Sequence, residues 1–310
     1  MHIRLFLCLL GFSLLAPIAS AQFEGWYQIE VLVFERTGGF DDELWPTEIS
    51  LRYPLHWQEL RDPEAIETEA NAAAEAATET PVEYTETTLL STQAEPLAPT
   101  PPDLARDAFY TLPNAQRALN RERQRLAAQG NIRVLFHEAW RQPLASAEKT
   151  PAVLVFGGET FAKHHRLEGS LQFSVARYLH LQTNLWLSDF HINTGQGSPW
   201  PEIPLNPLER LKHTEQTPSD LFAENSNLMG NNWSASRQSA WQTSSDNAEL
   251  QEFLTAPYLP RRILTVQQHR RMRSGELHYI DHPRVGILLI IHPYKVPPPA
   301  PSETGLLTEG

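Results

Sequence analysis

Residues 169–190 read GSLQFSVARYLHLQTNLWLSDF, and the order of apolar and polar side chains along this run decides the fold. Leu171, Phe173, Val175, Leu179, Leu181, Leu185 and Leu187 share one parity; Gln172, Ser174, Tyr178, His180, Gln182, Asn184 and Trp186 share the other. Successive side chains of a strand point to opposite faces. A two-residue repeat held this long predicts a bent strand or a strand pair, with one core face and one polar face dotted with aromatics.

The same repeat recurs on both sides of this run. WYQIEVLVFER (26–36), IRVLFHEAWRQP (132–143) and the short apolar AVLVFGG (152–158) read as strands. RRILTVQQHRRMRSGELHYIDHPRVGILLIIHPY (261–294) reads as a strand, a turn around Ser274-Gly275, a second strand, and an apolar strand from Val285 to Ile291. A helix is expected from Pro113 to Gln129, with Pro113 at its start, Leu112, Ala115, Leu119 and Leu126 on one stripe and Gly130 past its end. The fold class is therefore α+β, a mostly antiparallel sheet with one principal packed helix.

Residues 1–21 have the form of a cleaved signal peptide: Arg4, an apolar run too short to span a bilayer, then Ala19-Ser20-Ala21. The only cysteine, Cys8, lies inside it, so the exported chain is expected to hold neither disulfide nor thiolate metal site. Residues 22–296 form one domain interrupted by two low-complexity inserts, at about 63–104 (rich in Ala, Glu, Thr and Pro) and 193–256 (rich in Asn, Ser, Gln and Pro). A Pro-rich tail follows at 297–310.

The net charge of −12 argues against a nucleic-acid or anionic-membrane partner, since either needs a basic face. The charge is uneven: no lysine or arginine occurs from Asp62 to Asp103, whereas Arg261 to Arg273 is basic.

The densest polar segment is RRMRSGELHYIDHP (270–283). His278, Asp281 and His282 are metal-ligand types, but in a strand the two histidines share a face and Asp281 points away. A third ligand would have to be His180 or His269, and the spacing matches no established ligand motif. Ser274 lacks the GxSxG elbow; no GxxxxGK[ST] loop or HExxH helix occurs, and GGE at 157–159 has no following lysine at the needed spacing. No cofactor is expected. Two uses of the arginines stay open. Arg273 can pair with Glu276 or Asp281 across the turn, a solvated pair worth little. Alternatively the guanidinium forks meet carboxylates or phosphates while His278 and Tyr279 offer planes for stacking. The tryptophans 26, 45 and 140 read as packing, and Trp186 stands apart on the polar parity.

The segments YQIEVLVFER, ELWP, VLFHEAWRQP, GSLQFSVARYLHLQTNLWL and RRMRSGELHYIDHPRVGILLII resemble the CsiV-like family of periplasmic proteins from Gram-negative bacteria. The resemblance covers the ordered segments and leaves out both inserts and the tail. It implies a non-enzymatic peptidoglycan-binding factor in the periplasm that supports a bifunctional penicillin-binding protein and that enzyme's outer-membrane lipoprotein activator. It carries no binding residues over. The candidate surface comes from the residues themselves: Arg177, Tyr178 and His180 from one strand, and Arg270, Arg271, Arg273, Glu276, His278, Tyr279, Asp281 and His282 from the other. The alternatives are a protein adaptor without glycan binding and a metal-dependent wall hydrolase.

Overall fold

The computed structural model describes residues 24–38, 49–68, 72, 101–195, 203–215 and 256–299, which leaves the signal-peptide segment and Trp45 outside the described residues. Two sheets stack face to face. The first has the order β3 (Ile132–Leu144), β1 (Gly25–Arg36), β9 (Val285–Pro293), β8 (Leu277–Asp281), all antiparallel. The second has the order β2 (Trp57–Gln58), β4 (Ala152–Phe161), β5 (His164–Val175), β6 (Leu179–Ile192), β7 (Tyr258–Met272), antiparallel apart from the short parallel β2–β4 pairing. The fold is α+β with mostly antiparallel sheets, arranged as a sandwich.

The run at 169–190 is the β5–β6 hairpin, turning at 176–178. All seven apolar residues of its first parity lie in the inter-sheet core, against Ile29, Val31 and Val33 of β1 and Val285, Ile287, Leu289 and Ile291 of β9. Burying each such side chain stabilises the fold by about 1.5–3 kcal/mol, so the repeat that marks the strands also drives the stacking. Gly169 has φ +130°, and a Cβ there would lie 2.1 Å from the Asn184 carbonyl oxygen. Only glycine lets β5 and β6 approach this closely.

The outer face of the first sheet is covered over β3, β1 and β9. Leu119 and Leu126 pack on Leu32, Phe34, Ile132, Val134, Leu288 and Ile290. The covering helix is shorter than the sequence predicts. A 3-10 turn at Asn114–Gln116 is followed by a break, and the α-helix spans Asn120–Ala127. Two side chains, Arg117 and Glu30, explain the break. Arg117 donates to the Leu112 and His137 carbonyls and to Glu138, and the buried Glu30 carboxylate accepts the backbone N–H groups of Ala118 (2.5 Å) and Leu119 (2.8 Å). An acidic group at that point satisfies free donors and complements the helix dipole. A second helix, Pro207–Glu215, lies within the stretch read as the second insert.

Among the described residues, the outer face of the second sheet is covered at one end only. There Leu51 and Ile203 lie over Trp186 and Ile263, flanked by Ile49, Tyr53 and Phe190. Trp186 is fully buried, and its Nε1 donates to the buried Glu168 (3.2 Å). The polar parity that carries Trp186 thus contributes to a second, smaller core.

Buried charge ties the sheets together near this end. Glu35 of β1 is bound by Arg133 of β3 (2.5 Å), Arg166 of β5 (2.6 Å) and Arg284 before β9 (2.7 Å). Asp189 of β6 meets both Arg166 and Arg284. Burial pushes the Glu35 carboxyl up, but the hydrogen bonds and charges of Arg166 and Arg133 outweigh it and hold the group at about 2.

Candidate functional site

Away from the Trp186 end, the outer face of β5–β6–β7 is left open by the described residues, and the strand register sets its side chains in rows. Ser174, His180 and Arg271 are cross-strand neighbours; so are Gln172, Gln182 and His269, and so are Ser170, Asn184 and Gln267. Rows two residues apart on a strand are separated by about 7 Å. Leu179 and Leu181 hold this register by filling the core on the opposite face.

One wall of the face comes from residues 50–54. Asn184 Nδ2 donates to the Arg52 carbonyl (2.8 Å) and Gln267 Nε2 donates to Asn184 Oδ1 (3.1 Å), which fixes wall to floor. Gln172 Nε2 donates to the carbonyls of Ala147 and Thr150, both at 2.9 Å. The resulting groove, about 520 Å³, is lined by Ser50, Arg52, Tyr53, Pro54, Ser170, Gln172, Gln182, Asn184, Gln267 and His269, among others.

The rows end at the hairpin tip in a cationic, aromatic corner. The Arg271 guanidinium lies over the exposed Tyr178 ring (4.4 Å), with that of Arg177 at 5.6 Å. The rings of His180 and His269 stack at 5.1 Å. Burial, with the nearby His269 and Arg271, holds the His180 imidazole below its ordinary value and so favours its neutral form at pH 7. Among the described residues no carboxylate pairs with Arg177, Arg270 or Arg271. Arg270 lies on the core-facing parity but reaches solvent at the free edge of β7.

The structure does not bring the whole sequence-derived set onto one surface. β7 and β8 belong to different sheets, and the turn at 273–276 passes between them. In β8, Ile280 fills the core, so Tyr279 and Asp281 project from the outer face of the first sheet, on the side of the sandwich opposite the groove. There Arg36 donates to the Tyr279 hydroxyl, to Asp281 (2.7 Å) and to the His282 carbonyl (2.5 Å), and the Tyr279 hydroxyl donates to Asp281 (2.6 Å). The Tyr279 hydrogen bond and Arg36 together hold the Asp281 carboxyl low. Arg273 and Glu276 form an exposed pair across the turn at 3.6 Å. His278 Nε2 lies 2.9 Å from the Arg273 carbonyl and serves the turn. Arg177, Tyr178, His180 and Arg271 are thus the candidates that converge.

Arg52, Gln267 and His269 complete the site; none belongs to the binding surface read from the sequence, where His269 enters only as a possible third metal ligand. His269 and Gln267 share the outward parity of Arg271, a signal present in the sequence; Arg52 reaches the face only through the chain path. Among the described residues no group of three or more His, Cys, Asp and Glu side chains is placed to share a metal ion. A second cavity, about 630 Å³, opens between the sheet edges and is lined by Glu59, Asp62, Glu64, Glu67, Glu138 and Arg117 among others. Burial pushes the Glu138 carboxyl up against the opposing pull of Arg117.

A family model described as "Peptidoglycan-binding protein, CsiV" matches residues 4–294. No curated protein and no solved structure matches the chain.

Proposed function

The chain belongs to the CsiV family of peptidoglycan-binding proteins, and from that premise we propose that it is an exported, non-enzymatic accessory factor that holds peptidoglycan at the Arg271–Tyr178 corner. On this reading it works in the periplasm and supports wall synthesis by a bifunctional penicillin-binding protein together with that enzyme's outer-membrane lipoprotein activator. Among the described residues, no helix is long and apolar enough to cross a membrane.

The observation that carries the reading is the state of the Arg271 guanidinium: it is exposed, stacked on Tyr178 and opposed by no carboxylate among the described residues. Peptidoglycan stems carry carboxylates, and an arginine fork binds these through charge-assisted hydrogen bonds. The tyrosine ring orients the fork and leaves an aromatic edge for sugar or peptide. Binding and release need no bond to be made or broken.

Co-sedimentation with purified sacculi tests this. The wild type is expected in the pellet, and Arg177→Ala with Arg271→Ala is expected to lower retention by about tenfold or more, since the Arg271 contact is lost together with any made by Arg177. Equal retention of the two proteins removes the corner from the function. An adaptor without glycan binding would not pellet at all. Capture of the synthase and its activator by the tagged protein tests the partner part separately.

A further inference from the structure

Resting on the peptidoglycan reading, we propose that the groove across β5–β6–β7 is a subsite for the neutral N-acetylated glycan backbone of the wall polymer, adjoining the guanidinium corner, which takes the carboxylates of its stems. The two chemical halves of one ligand would thus be read by two neighbouring patches of one sheet.

The lining supports this by what it holds and what it lacks. The side chains of its floor are amide, hydroxyl and imidazole, from Ser170, Gln172, Gln182, Asn184, Gln267 and His269, and its wall adds Tyr53 and the exposed cation Arg52. An amide offers donors and an acceptor together, which matches the hydroxyl and acetamido groups of an N-acetylated sugar. Protein surfaces are usually studded with mixed charges. These three rows carry no Asp, Glu or Lys, in a chain with 37 acidic residues. The one acidic side chain on the same parity, Glu168, is buried and holds Trp186 and the backbone N–H of His165. At the exposed positions Gln182, Gln267 and His269 a stable fold does not require an uncharged side chain, because a charge on a solvated strand costs little.

The hydrogen-bonding capacity is partly reserved. Gln172 and Gln267 use their Nε2 groups on the protein, which fixes the side chains and leaves their carbonyl oxygens without a donor among the described residues. The side-chain amide of Gln182, exposed at the centre of the floor, makes no hydrogen bond among the described residues. Fixed acceptors around a free amide form a preorganised polar floor. At about 520 Å³ the groove falls within the range of small-ligand sites.

Position completes the case. The Gln182–His269 row lies about 7 Å from the His180–Arg271 row. A glycan lying along the floor therefore brings the acidic stem that branches from it to Arg271.

The test uses the full chain and a linear oligomer of N-acetylglucosamine, a neutral probe without stems. Calorimetric titration of the wild type is expected to show binding, and Gln182→Ala with Gln267→Ala is expected to weaken it by about tenfold or more, as two polar contacts are lost. The same oligomer in excess is expected to lower wild-type retention on sacculi. If the wild type pellets with sacculi but does not bind the oligomer, or the double variant binds it as well as the wild type does, the subsite is overturned while the peptidoglycan reading stands. If the wild type does not pellet, the peptidoglycan reading itself fails. Should the double variant unfold, amide and side-chain NMR shifts of the wild type decide: changes at Gln172, Gln182 and His269 support the subsite, and changes confined elsewhere overturn it.

Discussion

Two groups of arginines lie at opposite ends of the β5–β6 hairpin and differ in what surrounds them. At the open end, Arg166 joins Arg133 and Arg284 around Glu35 and Asp189, from both sheets. At the turn, Arg177 and Arg271 face one tyrosine ring and no carboxylate among the described residues. The first group is bound up in holding the sandwich closed; the second is left for something outside it. Arginine content alone does not separate the two cases. The difference lies in which acids the chain brings within reach, and Glu35 is 131 residues from Arg166.

The largest way to break this contrast is Glu35→Gln. It leaves three guanidiniums crowded around a neutral amide, and removing one partner of a buried ionic network destabilises by about 3–5 kcal/mol. Urea denaturation reads this directly, with Arg271→Ala expected to move stability by no more than about 0.5 kcal/mol. Similar losses from both variants would erase the distinction between structural and available arginines.

Acid titration sharpens the same point without a mutation. The folded-state carboxyl of Glu35 sits at about 2, below its unfolded value of 4.5. A depressed carboxyl gives stability that is fully present above the unfolded value and is lost as pH falls through the folded one. At about 1.4 kcal/mol per unit, roughly 3 kcal/mol should disappear between pH 4.5 and 2. Unfolding free energies measured across that window should slope accordingly in the wild type and less in Glu35→Gln; parallel slopes would contradict the assignment.

The sequence shows the strands because their information is local. The parity of Leu171 to Leu187 suffices to place β5 and β6, and the apolar run from Val285 to Ile291 suffices for β9. The helix start is not local: it is set by Glu30, 88 residues before the amide it binds, and by Arg117 reaching across to β3. For the same reason, Trp186 reads as a surface aromatic, since its cover comes from Leu51 and Ile203. The site is half legible. Arg177, Tyr178, His180 and Arg271 meet because β6 pairs with β7 in the register their parities allow. Tyr279 and Asp281 do not join them, since the turn at 273–276 passes from one sheet to the other, and nothing in that turn's composition marks the change.

Arg36 is the intermediate case between the two groups, and it predicts the smallest effect. It is paired, like the buried arginines, but its partner Asp281 is about two-thirds exposed. Exposed pairs contribute up to about 1 kcal/mol because solvent screens them and the side chains must be ordered. Asp281→Asn keeps the size of the residue, and its amide oxygen can still accept from the Tyr279 hydroxyl, so only the charge component of the cluster is lost. The expected change in unfolding free energy is therefore below about 1 kcal/mol, and 0.5 M salt should shrink it further, because screening has already removed most of the attraction. If Asp281→Asn instead weakened retention on sacculi as strongly as loss of Arg271, the wall polymer would have to reach the far face of the sandwich. A surface confined to β5–β6–β7 could not account for that result, whereas unchanged retention keeps binding on the groove side.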